Sequence, residues 1–403
     1  MTHFSKLILF TLVVLLLAWI LPWGYHFMTS RPQSYPFTLY SCITHSFASA
    51  DFQNEKLNYR DSRGNTFTEE QFDSILPTFY SHRLVANGKF PRTIEGAEIT
   101  PADIKRENFI FRHSPADINT TRPSLYPLLE TMPKRAELEM PDDVFRLHQH
   151  MEFIEMETNT IREDKSELFT QMLKKKKFNF PARYVAGNPT TRKEYDEGYF
   201  IIDQNDQLFH VKQLCGRPYV KNIGIPETVR PHYIFPTEYP GRRTYCFLTD
   251  TAHCFYVLNR PDYQLYKLPL SSFDPEKENL MIIGDAFYWT LQVSGEKGRK
   301  LYAVNTRDYT LADTLSFAAS PPQALHIAGY IFPFQLSFTS YDDNWVYPRF
   351  SDGSANAFLL NVILAIAYWL VRRRQAGHSA ITPVLLICFL GIFGLLPFLL
   401  LKK

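Results

Sequence analysis

Uncharged apolar runs stand at both ends of this chain, and they constrain its fold more than anything between them. Residues 7–23 read LILFTLVVLLLAWILPW, without one charge. As a helix this run reaches about 25 Å, against roughly 30 Å of bilayer hydrocarbon. Trp19, Trp23 and Tyr25 then fall at the far interface, where aromatic rings anchor. A secretion signal has a similar run, but no small-x-small cleavage site follows directly. Ala48-Ser49-Ala50 lies too far on, and Leu39-Tyr40-Ser41-Cys42, a loose lipoprotein box, has the same fault. An uncleaved transmembrane helix over 7–23 is therefore expected. Residues 355–371, containing Asn356 and Asn361 and closing on Tyr368-Trp369, are expected as a second span. Residues 380–401, uncharged, with Pro383 and Pro397 near the ends, are expected as a third. The short link 372–379 makes this pair a membrane hairpin.

Charge sets the orientation. Lys6 with Arg372, Arg373 and Arg374 flank the segments on one side; Arg31, Arg349, Lys402 and Lys403 flank them on the other. The counts tie, but three adjacent arginines in so short a loop resist translocation, while residues inside a long domain hardly matter. The terminal lysines can snorkel. The expectation is an internal N-terminus and an external middle region. That region needs no nucleic-acid partner, since 43 basic against 41 acidic residues leave a net charge of only +2. At 45% apolar residues the chain is not disordered.

The middle divides by pattern into a mixed α+β part, 28–194, and a β-rich part, 195–354. In the first, Thr68-Glu69-Glu70-Gln71 is a capping box, and the helix it opens should end at Pro77. Thr100-Pro101-Ala102-Asp103 starts another helix. Residues 163–177 form a third, with Leu168, Phe169, Met172 and Leu173 as its stripe and four lysines at its end. The lysines read first as a solvated helix end. In the second part, four pairs of apolar runs meet at Asp203, at Asp250, at Gly284-Asp285 and at Asn305, which is the hairpin signal. Intervals of 47 and 35 residues between the first three turns suit irregular propeller blades, and a β-meander or sandwich would read alike.

Candidate sites are sparse. Cys246 and Cys254 are symmetric about Asp250, so a three-residue hairpin loop would place them opposite each other for a disulfide; a loop one residue shorter puts them on opposite faces. His148-Gln149-His150, near Met140, Met151, Glu152 and Met156, puts two imidazoles on one strand face as a possible metal pair, with a plain polar face as the commoner meaning. Asp142-Asp143, Glu194-Asp196-Glu197 and Asp342-Asp343 are carboxylate groups that a hydrolase would bring together in a cleft. No nucleophile elbow, phosphate loop, zincin helix or dinucleotide fingerprint occurs, and no cofactor is called for. In the membrane hairpin, an unpaired Asn361 amide is costly, and Gly391 and Gly394 allow close backbone approach. These three mark either an assembly surface for a membrane partner or contacts within the hairpin itself.

Tyr59-Arg60-Asp61-Ser62-Arg63-Gly64-Asn65, Pro141-Asp142-Asp143-Val144-Phe145-Arg146, and Gly187-Asn188-Pro189-Thr190 through Tyr195-Asp196-Glu197-Gly198-Tyr199-Phe200 carry a resemblance across most of the chain. They resemble an uncharacterised family of Gram-negative inner-membrane proteins of about this length. The family has no defined activity, so no functional residue carries over. The resemblance implies an inner-membrane location, a periplasmic middle domain and an association with ABC-transporter components. The layout also looks like transporters that pass ATP-driven motion to a periplasmic domain, although it departs from them in having three segments rather than four and no ATPase motif. The expectation is thus a non-catalytic, multi-pass protein in the lipid bilayer, an accessory or permease-like subunit of an ABC-type complex. The alternatives are an anchored periplasmic hydrolase or redox enzyme, and an anchored structural or sensor protein.

Overall fold

A computed structural model describes residues 3–29, 35–53, 56–133, 137–319, 323–353, 355–375 and 381–400. The architecture is α+β. It forms two compact units: Pro36–Phe317, and the chain ends together, Met1–Tyr35 with Ala318–Lys403. The helices, in chain order, are α1 His3–Thr29, α2 Glu69–Ile75, α3 Ser81–Ala86, α4 Pro101–Glu107, α5 Glu163–Lys175, α6 Gln323–Ile331, α7 Ala357–Gln375, α8 Ile381–Leu390 and α9 Ile392–Leu400.

The larger unit is built from antiparallel meanders. A first sheet runs through Phe37–Ser41, Ser46–Gln53, Lys56–Asp61 and Thr66–Phe67. A second uses Tyr184–Gly187, Tyr199–Ile202, Leu208–Leu214 and Arg217–Asn222. A third uses Pro231–Pro236, Thr244–Asp250, Phe255–Asn259 and Leu265–Lys267. The fourth uses Asn279–Gly284, Tyr288–Gly295, Gly298–Asn305 and Leu311–Ala318, and takes the early strand Phe109–His113 onto its edge. The turns the sequence marks are closed by the marked side chains. Asp203 Oδ1 accepts the N–H groups of Asn205 and Gln207, both at 2.9 Å. Asp250 Oδ1 accepts those of Ala252 and Cys254 at 2.9 and 2.8 Å. Asp285 Oδ1 accepts those of Phe287 and Tyr288 at 2.7 and 2.8 Å, and Asn305 Oδ1 that of Arg307 at 2.9 Å. Each turn thus substitutes a side-chain oxygen for a backbone one.

Inner strands such as Tyr199–Ile202 and Thr244–Asp250 are buried along their whole length, and each sheet shares a core with the next. Phe145 and Phe153 of the hairpin Asp143–Leu147/Met151–Glu155 pack with Phe169 of α5 and Phe209 of the second sheet. Phe200 and Ile202 pack with Leu248 and Leu258 of the third. Phe247 and Phe255 pack with Trp289 and Leu291 of the fourth, and Leu301 and Ala303 with Tyr40 and Phe47 of the first. The boundary drawn between residues 194 and 195 is therefore corrected, because Tyr184–Gly187 pairs in full register with Tyr199–Ile202 across it. Residues 318–354 are corrected too: they belong with the chain ends, where α6 and the hairpin Phe334–Ser337/Arg349–Asp352 lie.

The capped helices form where expected. α2 has the full capping box of Thr68 and Gln71 and ends two residues before Pro77; α4 has one from Thr100 and Asp103. In α5, Phe169 and Leu173 are buried, but Leu168 is 44% exposed and lies off the stripe.

Three full spans are not what the smaller unit contains. Among the described residues one helix, α1 over Phe4–Thr29, is long and apolar enough to cross a membrane. The apolar stretches Ala357–Arg372 and Ile381–Leu390 are shorter. The expected third span is two helices, because Gly391 takes a left-handed φ of +56° between α8 and α9. Neither proline makes the break; Pro397 lies inside α9. α1 buries Val14 and Ala18 against Ala328, Phe332, Leu336 and Phe393, while α7 and α8 meet at Ala365, Tyr368 and Ile387.

Candidate functional site

The carboxylates at 194–197 lie between two strands of the second sheet, and their neighbours come from far along the chain. Lys193 Nζ donates to Asp196 Oδ1 at 2.6 Å, to both oxygens of Glu238 at 2.7 Å and to the Asn188 carbonyl at 2.6 Å. Glu238 also accepts the Glu197 N–H and the Asn188 amide, both at 2.8 Å. Asp196 Oδ2 accepts the Gly198 N–H at 2.9 Å. The side chains of Lys193, Asp196 and Glu238 are each no more than 5% exposed. Burial raises the Glu238 carboxyl above its usual range, and the Lys193 ammonium opposes this. Gly198 allows the turn, with φ of +64°, and a Cβ there would stand 2.4 Å from the Val211 carbonyl.

Glu197 faces the other way. Its carboxylate takes Lys212 Nζ at 2.9 Å and the Arg260 guanidinium. Its backbone carbonyl accepts from His210 Nε2 at 2.5 Å. His210 Nδ1 accepts from the Tyr263 hydroxyl at 2.8 Å, and that hydroxyl is 3.1 Å from Tyr219 Oη. Burial pushes the imidazole down to about 3, so it stays neutral as the Nε2–H tautomer. Arg260 also lies 4.9 Å over the Tyr245 ring. The buried charges of Lys193, Asp196, Glu197 and Glu238 are matched by opposite charges or N–H groups, so the arrangement cross-links the second and third sheets, while Glu194 is exposed. A hydrolase carboxyl must instead meet substrate.

The other carboxylates are committed likewise. Asp143, fully buried, is held by Lys165 and Arg162, and Arg162 also pairs with Asp142 and Glu155. Asp343 pairs with Arg349 at 2.7 Å. Cys246 and Cys254 do not face each other, which corrects the disulfide expectation. The register sets Cys246 against Leu258 and Thr249 against Phe255, so the turn is centred on Ala252 and not Asp250. Both are free thiols, and Cys246 is fully buried. His148 and His150 stand in the turn between Asp143–Leu147 and Met151–Glu155, not on a strand face; His150 Nε2 lies 2.9 Å from Glu152. No group of three His, Cys, Asp or Glu side chains able to hold a metal occurs among the described residues.

In the smaller unit, Asn361 is 1% exposed and rests on Gly391, where a Cβ would lie 2.0 Å from Asn361 Oδ1. Gly394 is buried within its own helix pair. These residues turn inward, in line with the second of the two readings, contacts within the hairpin itself. Arg372 donates to the Tyr368 hydroxyl at 3.3 Å; Arg373 and Arg374 lie in the last turn of α7, which ends at Gln375, and the link 376–380 lies outside the described residues. The sequence missed Glu238, Arg260 and His210 as partners. Each is a lone polar residue whose spacing carries no signal.

A search of curated proteins finds no match. Among solved structures, the chain is similar to the β-propeller domain of Cps50 (Swd1) from Myceliophteria thermophila. The two are 9% identical over 72% of this chain and 90% of that one, with a TM-score of 0.23. It is also similar to PorZ, a surface component of the type-IX secretion system of Porphyromonas gingivalis, at 11% identity with a TM-score of 0.21. That match covers 72% of this chain but only 33% of PorZ. At these scores neither likeness bears on the fold. A family model does match, over residues 37–304, which is most of the chain and nearly all of the larger unit, and the chain belongs to that family, a domain of unknown function, DUF4857.

Proposed function

We propose that this protein is a non-catalytic, membrane-held binding subunit of an ABC-type transport complex, multi-pass in a bacterial inner membrane, with Pro36–Phe317 in the periplasm. The observation that carries the anchoring is the core around α1. Val14 and Ala18 are buried among Ala328, Phe332, Leu336 and Phe393, so cleaving α1 as a signal would strip the core from residues near the other end of the chain. An anchor is retained; a signal has no reason to be a core element. What supports binding over chemistry is the state of the candidate groups. The carboxylates a hydrolase would use are tied to lysine, arginine and backbone N–H groups, and the cysteines a redox enzyme would use are separated by register. On this reading α7, α8 and α9 lie in the bilayer beside α1, with Arg372, Arg373 and Arg374 on the cytoplasmic side.

The test is affinity purification of the full chain in mild detergent after brief cross-linking. An ATP-hydrolysing subunit should co-purify in fixed proportion, with ATPase activity in the same fraction. Recovery of the chain alone, or an ATPase signal that does not follow it through a second column, would overturn the reading.

A further inference from the structure

The smaller unit carries a groove of about 440 Å³ between α1 and the hairpin Phe334–Ser337/Arg349–Asp352. Its walls include Leu12, Leu16 and Trp19 on one side and Leu336, Phe338 and Phe350 on the other, and no lining side chain is charged or polar apart from the indole of Trp19. Leu12, Leu16 and Trp19 are 58%, 49% and 42% exposed, so the groove is continuous with the open face of the candidate membrane helix. From Leu12 to Trp19 the helix rises about 10 Å. The Trp19 end is fixed: its ring meets Phe338 edge-on at 5.3 Å. Beyond it the hairpin loop is braced by Arg349, which donates to Asp343 Oδ1 at 2.7 Å and to the Trp345 carbonyl at 3.1 Å, and which lies 4.0 Å over Tyr347. That loop exposes Tyr341 fully, with Trp345 and Tyr347 also on the surface.

We infer that this groove seats one acyl chain of a bilayer glycerophospholipid. The chemistry of each end selects the occupant. Leucine and phenylalanine walls accept hydrocarbon and offer nothing to a polar ligand. Tyrosine and tryptophan at the loop end have one apolar and one wet side, which is the character of the membrane interface. The glycerol backbone therefore lies at the Trp19 end and the chain runs toward Leu12. A globular partner would leave the aromatic loop and the lipid-facing side of α1 unmatched. The inference rests on α1 lying in the bilayer, but not on the transport reading.

The test uses full-length protein in nanodiscs containing a phosphatidylcholine with a photoreactive group on one acyl chain. After illumination, labelled peptides are mapped. Labelling of 12–19 and 336–350 should saturate at low probe fraction, while labelling of Leu359, Ile363 and Ile366 on the exposed side of α7 rises in proportion to probe. Leu16→Trp, at a half-exposed position, fills the groove and should lower groove labelling roughly tenfold without changing that on α7. Phe350→Ala removes the opposite wall and should lower it too. Groove labelling that never saturates, or that survives both substitutions, overturns the inference and leaves only unselective lipid contact. No labelling of either surface overturns it as well, and removes the membrane placement of α1 with it.

Discussion

His210 has no exposed surface, and the partners of its two ring nitrogens fix it as neutral. Burial lowers its pKa from the usual 6.5 to about 3, so the unfolded chain takes up a proton that the folded chain refuses. Its contribution is fully present above the unfolded value and is lost as pH falls toward the folded one. Between about pH 7 and about pH 5 this single group should cost about 2 kcal/mol of stability. His210→Gln keeps a donor and an acceptor but does not titrate, so the difference between unfolding free energies at the two pH values, from denaturant melts, should shrink by that amount. Lys193 makes the complementary case. Its removal leaves Asp196 and Glu238 buried and facing each other, and Lys193→Ala should destabilise the chain by about 3–5 kcal/mol in the same assay. The double variant Lys193→Met/Glu238→Gln should recover most of that loss. The sequence showed the acidic run but not its fate. Glu194, Asp196 and Glu197 are equivalent on paper, whereas the turn at Gly198 sends Asp196 toward Lys193 and Glu197 toward Arg260. Only long-range packing decides between the two directions.

Elements with local signals were legible. The two capping boxes placed α2 and α4, and the Asp and Asn turns placed the hairpins of the second, third and fourth sheets. Register was not legible: at the turn after Asp250, an apparent symmetry of two cysteines pointed to one loop length while the backbone used another. Nor was the break at Gly391, since a single glycine in an apolar run reads as helix until something holds it in a left-handed conformation. Asn361 leaves room there for glycine alone, filling the space where a side chain on residue 391 would go. Gly391→Ala should therefore lower the melting temperature of the detergent-solubilised chain through two separable causes, overlap with Asn361 and the left-handed backbone. Adding Asn361→Ala removes the overlap but leaves about 1–2 kcal/mol of backbone cost. Full recovery in the double variant would mean that residue 391 can leave its left-handed conformation at no cost.

At the scale of the molecule, the sequence located the apolar ends and the β-rich middle, and misjudged where one stops and the other starts. Residues 318–354 carry strand-like runs, yet their apolar faces are buried against α1 and α9. The same pattern that makes a strand of the larger unit makes a hairpin packed on the apolar chain ends, so composition alone does not separate them. This bears on topology. On the proposed placement, alkaline phosphatase, which needs an oxidising compartment for its disulfides, should be active when fused after Asn205 and inactive when fused after Gln375. The break at Gly391 adds a sharper case. A straight helix over 381–400 would reach about 30 Å and carry the C-terminus to the periplasm, whereas two short helices that turned back at the left-handed residue would not cross. Lys402 and Lys403 would then stay on the side of Arg372, Arg373 and Arg374, which removes the conflict with positive charges inside. Phosphatase fused after Lys403 should accordingly be inactive, and a cytoplasm-active reporter at the same site should be active. Phosphatase activity at Lys403 together with inactivity at Gln375 would mean that α8 and α9 cross the bilayer as one span despite the break.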